Sequence, residues 1–422
     1  MILKKKKWNP IYIKKKINNN YFTKKKSRKY LNVIDKILFF FQKLFLIKDN
    51  YIFTKTNFEK KFYIEAFFKH LILTRLYTEF NKDININRNK LDRKNKILPL
   101  KSVKFRSFEN YLSKILIKTI PLSYIENFKL NLNNIRKIRI KSKIILTAFK
   151  HHENDLFKIW VANEKKKLVS CLHGGNIEKE FFFDSWSRYS YKYISWNKDK
   201  LSKNQINLPV NFLIFRKKFD NKEYLYNDNI IFLLPHAELK PLRLVDGLFC
   251  FEVLECFDKW ISFYKILDDN KKKFIHWRLG PFFDEWRILE KLSNKIQNIK
   301  FSKEKKFEKD IQKARLTIHV DIQTTFLETM YMNVPSVVIM NNNFWNVSKK
   351  SFSILKKLKY ANILFHNHKD MANHINKYYS NIDDWWESKK VQKIRLDYLR
   401  YSGALKSAKA KQEWFYFLKK LN

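Results

Sequence analysis

From Lys143 onward, short apolar runs alternate with stretches whose apolar residues recur at helical spacing. That alternation commits the chain to an α/β fold built on parallel sheets. "KIILTAF" reads as a buried strand, and "HENDLFKIWVANEKK" as a helix with Leu156, Ile159, Trp160 and Ala162 on one face. "KLVSCL" is the next strand and "YKYISW" (Tyr191 to Trp196) another. After a connecting region near 205–225 the pattern resumes. "IIFLLP", "KFIHWRL", "ARLTIHV" and "PSVVIM" read as strands, with "FEVLECFDKWISFYKIL", "FDEWRILEKLSNKI" and "TTFLETMYMN" as the helices between them. A helix near 348–359, a short strand "ANILF", a helix near 369–379 and a helical stretch from about 383 complete the reading. The pattern predicts two α/β units, each a doubly wound sheet.

Before Ile120 the chain is rich in Lys and Asn, and amphipathic helices are expected near 30–47, 58–80 and 105–118, with a polar loop from Asn81 to Lys96. The expected organisation is a helical, Lys-rich region at 1–120, a first α/β domain at 121–215, a second at 226–380, and a C-terminal helix at 381–422 that packs on the body through Trp385 and Trp386.

Charge bears on partners. The 87 Lys and Arg against 40 Asp and Glu give a net charge of +47, which by itself suggests a polyanion. The lysines run from Lys4 to Lys420, and Asn, Ile, Phe and Tyr are abundant beside them. All five residue types have A- and T-rich codons, so the charge is read as nucleotide bias rather than a specific nucleic-acid footprint. Salt-sensitive attraction to anionic surfaces, including peripheral contact with an anionic membrane, remains an expectation. Cys171, Cys250 and Cys256 show no zinc spacing and read as reduced thiols of a cytoplasmic protein. The apolar run Ile37 to Ile47 is too short to span a bilayer.

Three places could carry chemistry. The chain has only five glycines, and Gly174 and Gly175 are adjacent, directly after a strand and His173. Glycine serves positive φ or close approach. One reading is a plain turn with a surface histidine; the other puts His173 at a strand end, where α/β proteins bind ligands, as a general base. The second place is "ARLTIHVDIQTTFLETMYMN". Its helix opens at Thr324 or Thr325 and offers free N–H groups and a positive dipole end to phosphate, with Glu328 one turn in, placed to accept ribose hydroxyls. The competing reading is a capping box, in which Thr325 and Glu328 cap their own helix. Third, Arg278 at the end of "KFIHWRL" could grip phosphate in a bidentate contact or be a surface loop residue.

The ordered segments "IPLSYIENF", "KIILTAF", "ENDLFKIWVANE", "HGG", "YISW", "TTFLETMYMNVPSVVI", "FSILKKLKYANILFHN" and "IDDWWESKKVQ" resemble a family of transferases encoded among surface-carbohydrate biosynthesis genes. The resemblance runs from Ile120 to the C-terminus and is most specific in "TFLE…N-P" and "DDWW…VQ". The family is similar in outline to GT-B glycosyltransferases, which implies two Rossmann-like domains facing a cleft and a nucleotide-sugar donor held by the C-terminal domain. It implies a glycan or lipid-linked acceptor on the N-terminal side, with no cofactor and no metal. His173 then falls on the acceptor side as the catalytic base, with Gly174 and Gly175 at the substrate, while Thr324, Thr325 and Glu328 hold donor phosphate and ribose. The family has Gln-His-Gly-Gly where this chain has Leu172 before His173, and Ile177 and Glu178 stand where Tyr-Gly is expected. Of a later Trp-Gly-Trp only Trp196 is kept. These departures, with a short start, support an alternative: a non-catalytic relative acting as an interaction subunit. A polyanion-binding protein, supported by charge alone, is the third reading.

Overall fold

Two six-stranded parallel sheets organise the protein. A computed structural model describes residues 51–54, 56, 58–70, 74–76, 120–136, 142–175, 186–197, 202–214, 216, 223–235, 251–280, 286–304, 306–340, 349–405 and 409–421. The first sheet contains β1 (Tyr51–Thr54), β2 (Thr74–Leu76), β3 (Ile144–Thr147), β4 (Lys167–Cys171), β5 (Lys192–Ser195) and β6 (Gln205–Asn207), in the order β2-β1-β3-β4-β5-β6. The second contains β7 (Asn229–Leu233), β8 (Ile275–Arg278), β9 (Lys300–Phe301), β10 (Ala314–His319), β11 (Ser336–Ile339) and β12 (Leu364–Phe365), in the order β12-β11-β10-β7-β8-β9. Counted from β7, this is the 3-2-1-4-5-6 arrangement of dinucleotide-binding domains. The central strands are mostly apolar and deeply buried, as parallel sheets with covered faces require; all four residues of β3 are buried.

Strand order reverses between β1 and β3 in the first sheet and between β7 and β10 in the second. Crevices for ligands form at such switch points, beyond the carboxyl ends of the strands. This is the pair of Rossmann-like units expected from the alternation.

The first sheet starts earlier than expected. β1, the helix Lys60–His70 and β2 all lie inside the stretch read as a helical lead-in. β1 has four residues and β2 three, too few for a period-two pattern to show beside the aromatic-rich helix that follows β1. β6 and β9, of three and two residues, were not legible for the same reason. The helices expected near 30–47 and 105–118 and the loop at 81–96 lie outside the described residues.

The C-terminal stretch is three helices rather than one: Ile382–Trp386, Lys389–Tyr401 and Ala410–Leu421. Trp385 and Trp386 fix the first of these to the second unit, where Trp385 Nε1 donates to the Ala361 carbonyl at 2.9 Å. Ala410–Leu421 instead returns to the first unit. Phe415 stacks on Phe62 at 4.9 Å, Trp414 meets Phe58 edge-on at 4.8 Å, and Trp414 Nε1 donates to the Pro209 carbonyl at 2.8 Å. The chain therefore passes between the units twice, after β6 and after Tyr401. At the second passage Gly403 takes φ +65°, and a Cβ there would lie 1.9 Å from the Trp196 carbonyl oxygen.

The two most distinctive sequence segments prove to be bonded to each other. Asn333 ends the helix Thr324–Met332 in the left-handed conformation, φ 62°, a position that favours Asn or Gly. Its Oδ1 accepts from Trp386 Nε1 at 3.1 Å and from Gln392 Nε2 at 3.2 Å, while Arg395 Nη1 donates to the Met330 carbonyl at 2.7 Å. Asn333→Ala should therefore cost about 2–3 kcal/mol, from left-handed strain plus two lost hydrogen bonds. Asn333→Gly should cost about 1 kcal/mol less, because it restores the backbone. Urea denaturation of both variants tests this; equal losses would remove the conformational part of the explanation.

Candidate active site at the seam between the sheets

β4 ends at Cys171 and delivers Leu172, His173, Gly174 and Gly175 to the carboxyl edge of the first sheet. The expected positive φ falls on Gly174, at 76°. Gly175 serves a different need, close approach. Its N–H donates to Thr324 Oγ1 of the second unit at 3.2 Å. A Cβ on Gly174 would sit 2.1 Å from that same oxygen, and one on Gly175 would sit 2.6 Å from Leu327 Cβ. Trp196, the residue kept from the family's Trp-Gly-Trp, donates from Nε1 to the Gly174 carbonyl at 2.9 Å and holds the turn in place. His173 is exposed, with its ring 4.6 Å from that of Phe149.

Across the seam, β10 runs into a turn and then into the helix Thr324–Met332. Gln323 is the N-cap and makes no side-chain capping bond. The intrahelical ladder starts with Leu327 N–H on the Gln323 carbonyl at 3.0 Å, which leaves the amides of Thr324, Thr325 and Phe326 ahead of it. The capping-box reading is not realised, because Thr325 is already inside the helix. Its Oγ1 lies 3.5 Å from His319 Nδ1, and His319 Nε2 lies 3.0 Å from Thr317 Oγ1 and 3.2 Å from Thr329 Oγ1. Burial alone lowers the His319 pKa to about 3, so the ring is neutral. Sequence reading missed this residue; its signal was a histidine at the carboxyl end of a predicted strand, directly before the helix expected to bind donor.

Glu328 is buried, and its carboxylate receives Arg216 Nη2 at 2.9 Å. Arg216 also pairs with Glu308. Burial raises the Glu328 pKa, while Arg216 pulls against that shift. Arg216 belongs to the chain that links β6 to β7, so the connector is tied into the second unit beside the helix expected to hold the donor.

Arg278 takes a different part from the one expected. Its Nη1 pairs with Asp310, donates to the Glu304 carbonyl at 2.7 Å and reaches Ser302 Oγ at 3.2 Å. The guanidinium ties the end of β8 to the segment after β9. It stands level with His319, both being in register with Leu233 of β7, about 10 Å away across that strand.

The switch point of the first sheet carries residues the sequence reading passed over. Thr147 Oγ1, at the end of β3, accepts from the N–H groups of Phe149 at 3.3 Å and Lys150 at 2.9 Å. Lys150 and His151 are buried. His152 lies 3.9 Å from His151 and 6.0 Å from Phe149, ring to ring. Phe149 thus neighbours both His152 and His173. The signal was the Lys-His-His run directly after a strand. Among the described residues, no three His, Cys, Asp or Glu side chains converge as metal ligands.

Two doubly wound sheets that meet through a glycine turn on one side and a helix N-terminus on the other follow the GT-B plan. A model of the LIC12162 family of transferases matches residues 1–418, and the chain belongs to that family. No curated protein matches the sequence. Among solved structures, it is similar to the S. aureus MnaA-UDP co-structure, at 9% identity and TM-score 0.46 over 88% of this chain and 97% of the other. The glycosyltransferase SnogD from Streptomyces nogalater gives 11% and 0.45, over 88% and 99%. The wall teichoic acid polymerase TagF gives 11% and 0.41, over 93% and 97%.

Two expected outcomes follow from the site's geometry. A histidine in the unfolded chain takes up a proton near pH 6.5, whereas folded His319 refuses it until about pH 3. The unfolded state then binds more protons across that window, so stability falls as pH drops below about 6.5. His374, lowered by burial to about 4, adds to the same slope. Unfolding free energy should be about 2 kcal/mol lower per histidine at pH 5 than at pH 7, and His319→Gln should flatten the trend; an unchanged slope would count against the assignment. Separately, Gly174→Ala should destabilise strongly, and Thr324→Ala should rescue only the steric part, because the φ strain persists. A double-mutant cycle showing full rescue would mean that the turn tolerates an alanine.

Proposed function

We propose that this protein transfers a sugar from a nucleotide-sugar donor to a hydroxyl of a glycan or lipid-linked precursor in surface-polysaccharide biosynthesis, acting in the cytoplasm. The observation that carries this reading is the Gly175–Thr324 contact, in which a histidine-bearing strand end of one doubly wound sheet abuts a helix N-terminus at the switch point of the other. Donor phosphates would lie against the leading amides and the hydroxyls of Thr324 and Thr325, where the helix end supplies positive charge. Glu328 would accept a ribose hydroxyl on lone pairs that Arg216 leaves open. His173 would take the acceptor's hydroxyl proton as that oxygen attacks the anomeric carbon. The bond from that carbon to the phosphate oxygen breaks, and the nucleoside diphosphate leaves with its charge stabilised by the helix. Gly174 and Gly175 would serve the substrate by holding the turn against Thr324, so that His173 stands beside the donor helix. In this reading the charge stabilisation comes from the protein, so chelation with EDTA should leave transfer unchanged.

One set of contacts favours a second reading. Thr324 Oγ1 is engaged by Gly175, and Glu328 by Arg216, as would suit a non-catalytic relative kept as an interaction subunit. Melting-point shifts with UDP, CDP, GDP and ADP and their sugar conjugates separate the two. Transfer requires that at least one of them raise the melting point, and that Glu328→Gln weaken the shift more than it lowers the melting point itself. His173→Ala should then leave the shift intact and slow transfer by about 10²–10⁴-fold. A protein stabilised by none of these ligands belongs to the second reading, and full transfer in His173→Ala would remove the histidine from the mechanism.

A further inference from the structure

Because β3 to β6 are parallel, their amino ends open together on one side, opposite the edge that carries His173. Basic residues collect there. Lys143 precedes β3, Lys165 and Lys166 precede β4, and Lys167 starts it. Arg188 lies in the turn of helix before β5, Lys192 starts that strand, and Lys203 precedes β6. Backbone bonds hold the neighbours in line. Lys167 N–H donates to the Lys143 carbonyl at 2.8 Å, Tyr191 N–H to the Leu168 carbonyl at 2.8 Å, and Tyr193 N–H to the Asn204 carbonyl at 3.1 Å. Four adjacent strand ends span about 14 Å. Among the described residues of this edge the opposing carboxylate is Glu164, which the Asn163 side-chain amide holds at 3.1 Å.

Two tyrosines stand among these cations, with Tyr189 77% exposed and Tyr191 44% exposed. Lys167 Nζ lies 4.8 Å and Lys192 Nζ 5.5 Å from the centre of the Tyr191 ring. A ring already covered by ammonium groups is poorly placed to stack on a nucleobase, which is how aromatic residues serve single-stranded nucleic acid. Amphipathic tyrosines flanked by lysines suit the headgroup layer of a bilayer instead, where such rings settle and where cations meet anionic lipid.

We propose that the amino edge of the first sheet, centred on Lys143, Lys167, Tyr189, Tyr191 and Lys203, docks this protein on an anionic lipid bilayer. The docking is independent of sugar transfer. With basic residues over the whole chain, what must be shown is that this edge, rather than total charge, sets the binding. Full-length protein is sedimented with vesicles of phosphatidylcholine alone and of phosphatidylcholine mixed with phosphatidylglycerol. The triple variant Lys143→Glu, Lys167→Glu, Lys203→Glu is compared with an equal charge change on the exposed Lys349, Lys356 and Lys359. The parent should bind only the anionic vesicles. The edge variant should lose more than about a hundredfold, since each Lys or Arg near such a surface strengthens binding about fivefold and the three new carboxylates add repulsion, and the control should lose far less. Tyr189→Ser with Tyr191→Ser should also weaken binding without any change of charge. The milder Lys143→Gln, Lys167→Gln, Lys203→Gln set, checked by melting point, guards against a folding defect. No binding to anionic vesicles, equal losses in the two triple variants, or an edge variant that keeps vesicles while losing a short single-stranded RNA would each overturn the proposal.

Discussion

The contact on which the site depends is a steric one. Gly174 and Gly175 lie so close to the helix Thr324–Met332 that a single added carbon on either would overlap Thr324 or Leu327. In a chain so sparing of glycine, the pair marks the place where the turn at the end of one sheet packs, without side chains of its own, on a helix of the other unit. The approach lets one backbone N–H reach across to Thr324 Oγ1, and it sets His173, one residue earlier, at the mouth of the seam. Any side chain at these positions would push the units apart and take the histidine with it.

The helix on the other side of that contact is held at both ends. At its start, neutral His319 lies within reach of the hydroxyls of Thr325 and Thr329. At its end, Asn333 is bonded by Trp386 and Gln392, and Arg395 takes the Met330 carbonyl. The helix that supplies those last two side chains leads straight to Gly403, where the chain presses on Trp196, and Trp196 in turn holds the Gly174 carbonyl. The glycine turn and the helix it touches are thus joined a second time, through the C-terminal tail.

Much of this was legible in the sequence, and the failures have physical causes. The alternation of apolar runs and amphipathic helices located the sheet cores because strands buried on both faces must be apolar throughout. "HGG" announced a strand end, since few other pressures would place two glycines together in this chain. A helix start at Thr324 or Thr325 was recognised from the residues ahead of it. What escaped notice was either too short to leave a period, as with β1 and β2, or depended on a partner distant in sequence. Nothing local shows that Arg278 answers Asp310, or that Arg216 lies against Glu328 from 112 residues away. Nor does the Trp385–Trp386 pair reveal from sequence alone that it closes the end of a helix half a domain earlier.

Arg216 shows how local electrostatics couples the site to the arrangement of the units. Glu328 is buried, and desolvation drives its pKa upward, so a charged carboxylate there needs a cation. That cation comes from the connector between β6 and β7 rather than from either sheet, and it serves Glu308 as well. Withdrawing it would leave the buried Glu328 carboxylate without its counter-charge, so any shift of the connector carries an electrostatic cost. One guanidinium thus ties Glu328, in the first turns of that helix, and Glu308 to the connector that runs back to β6.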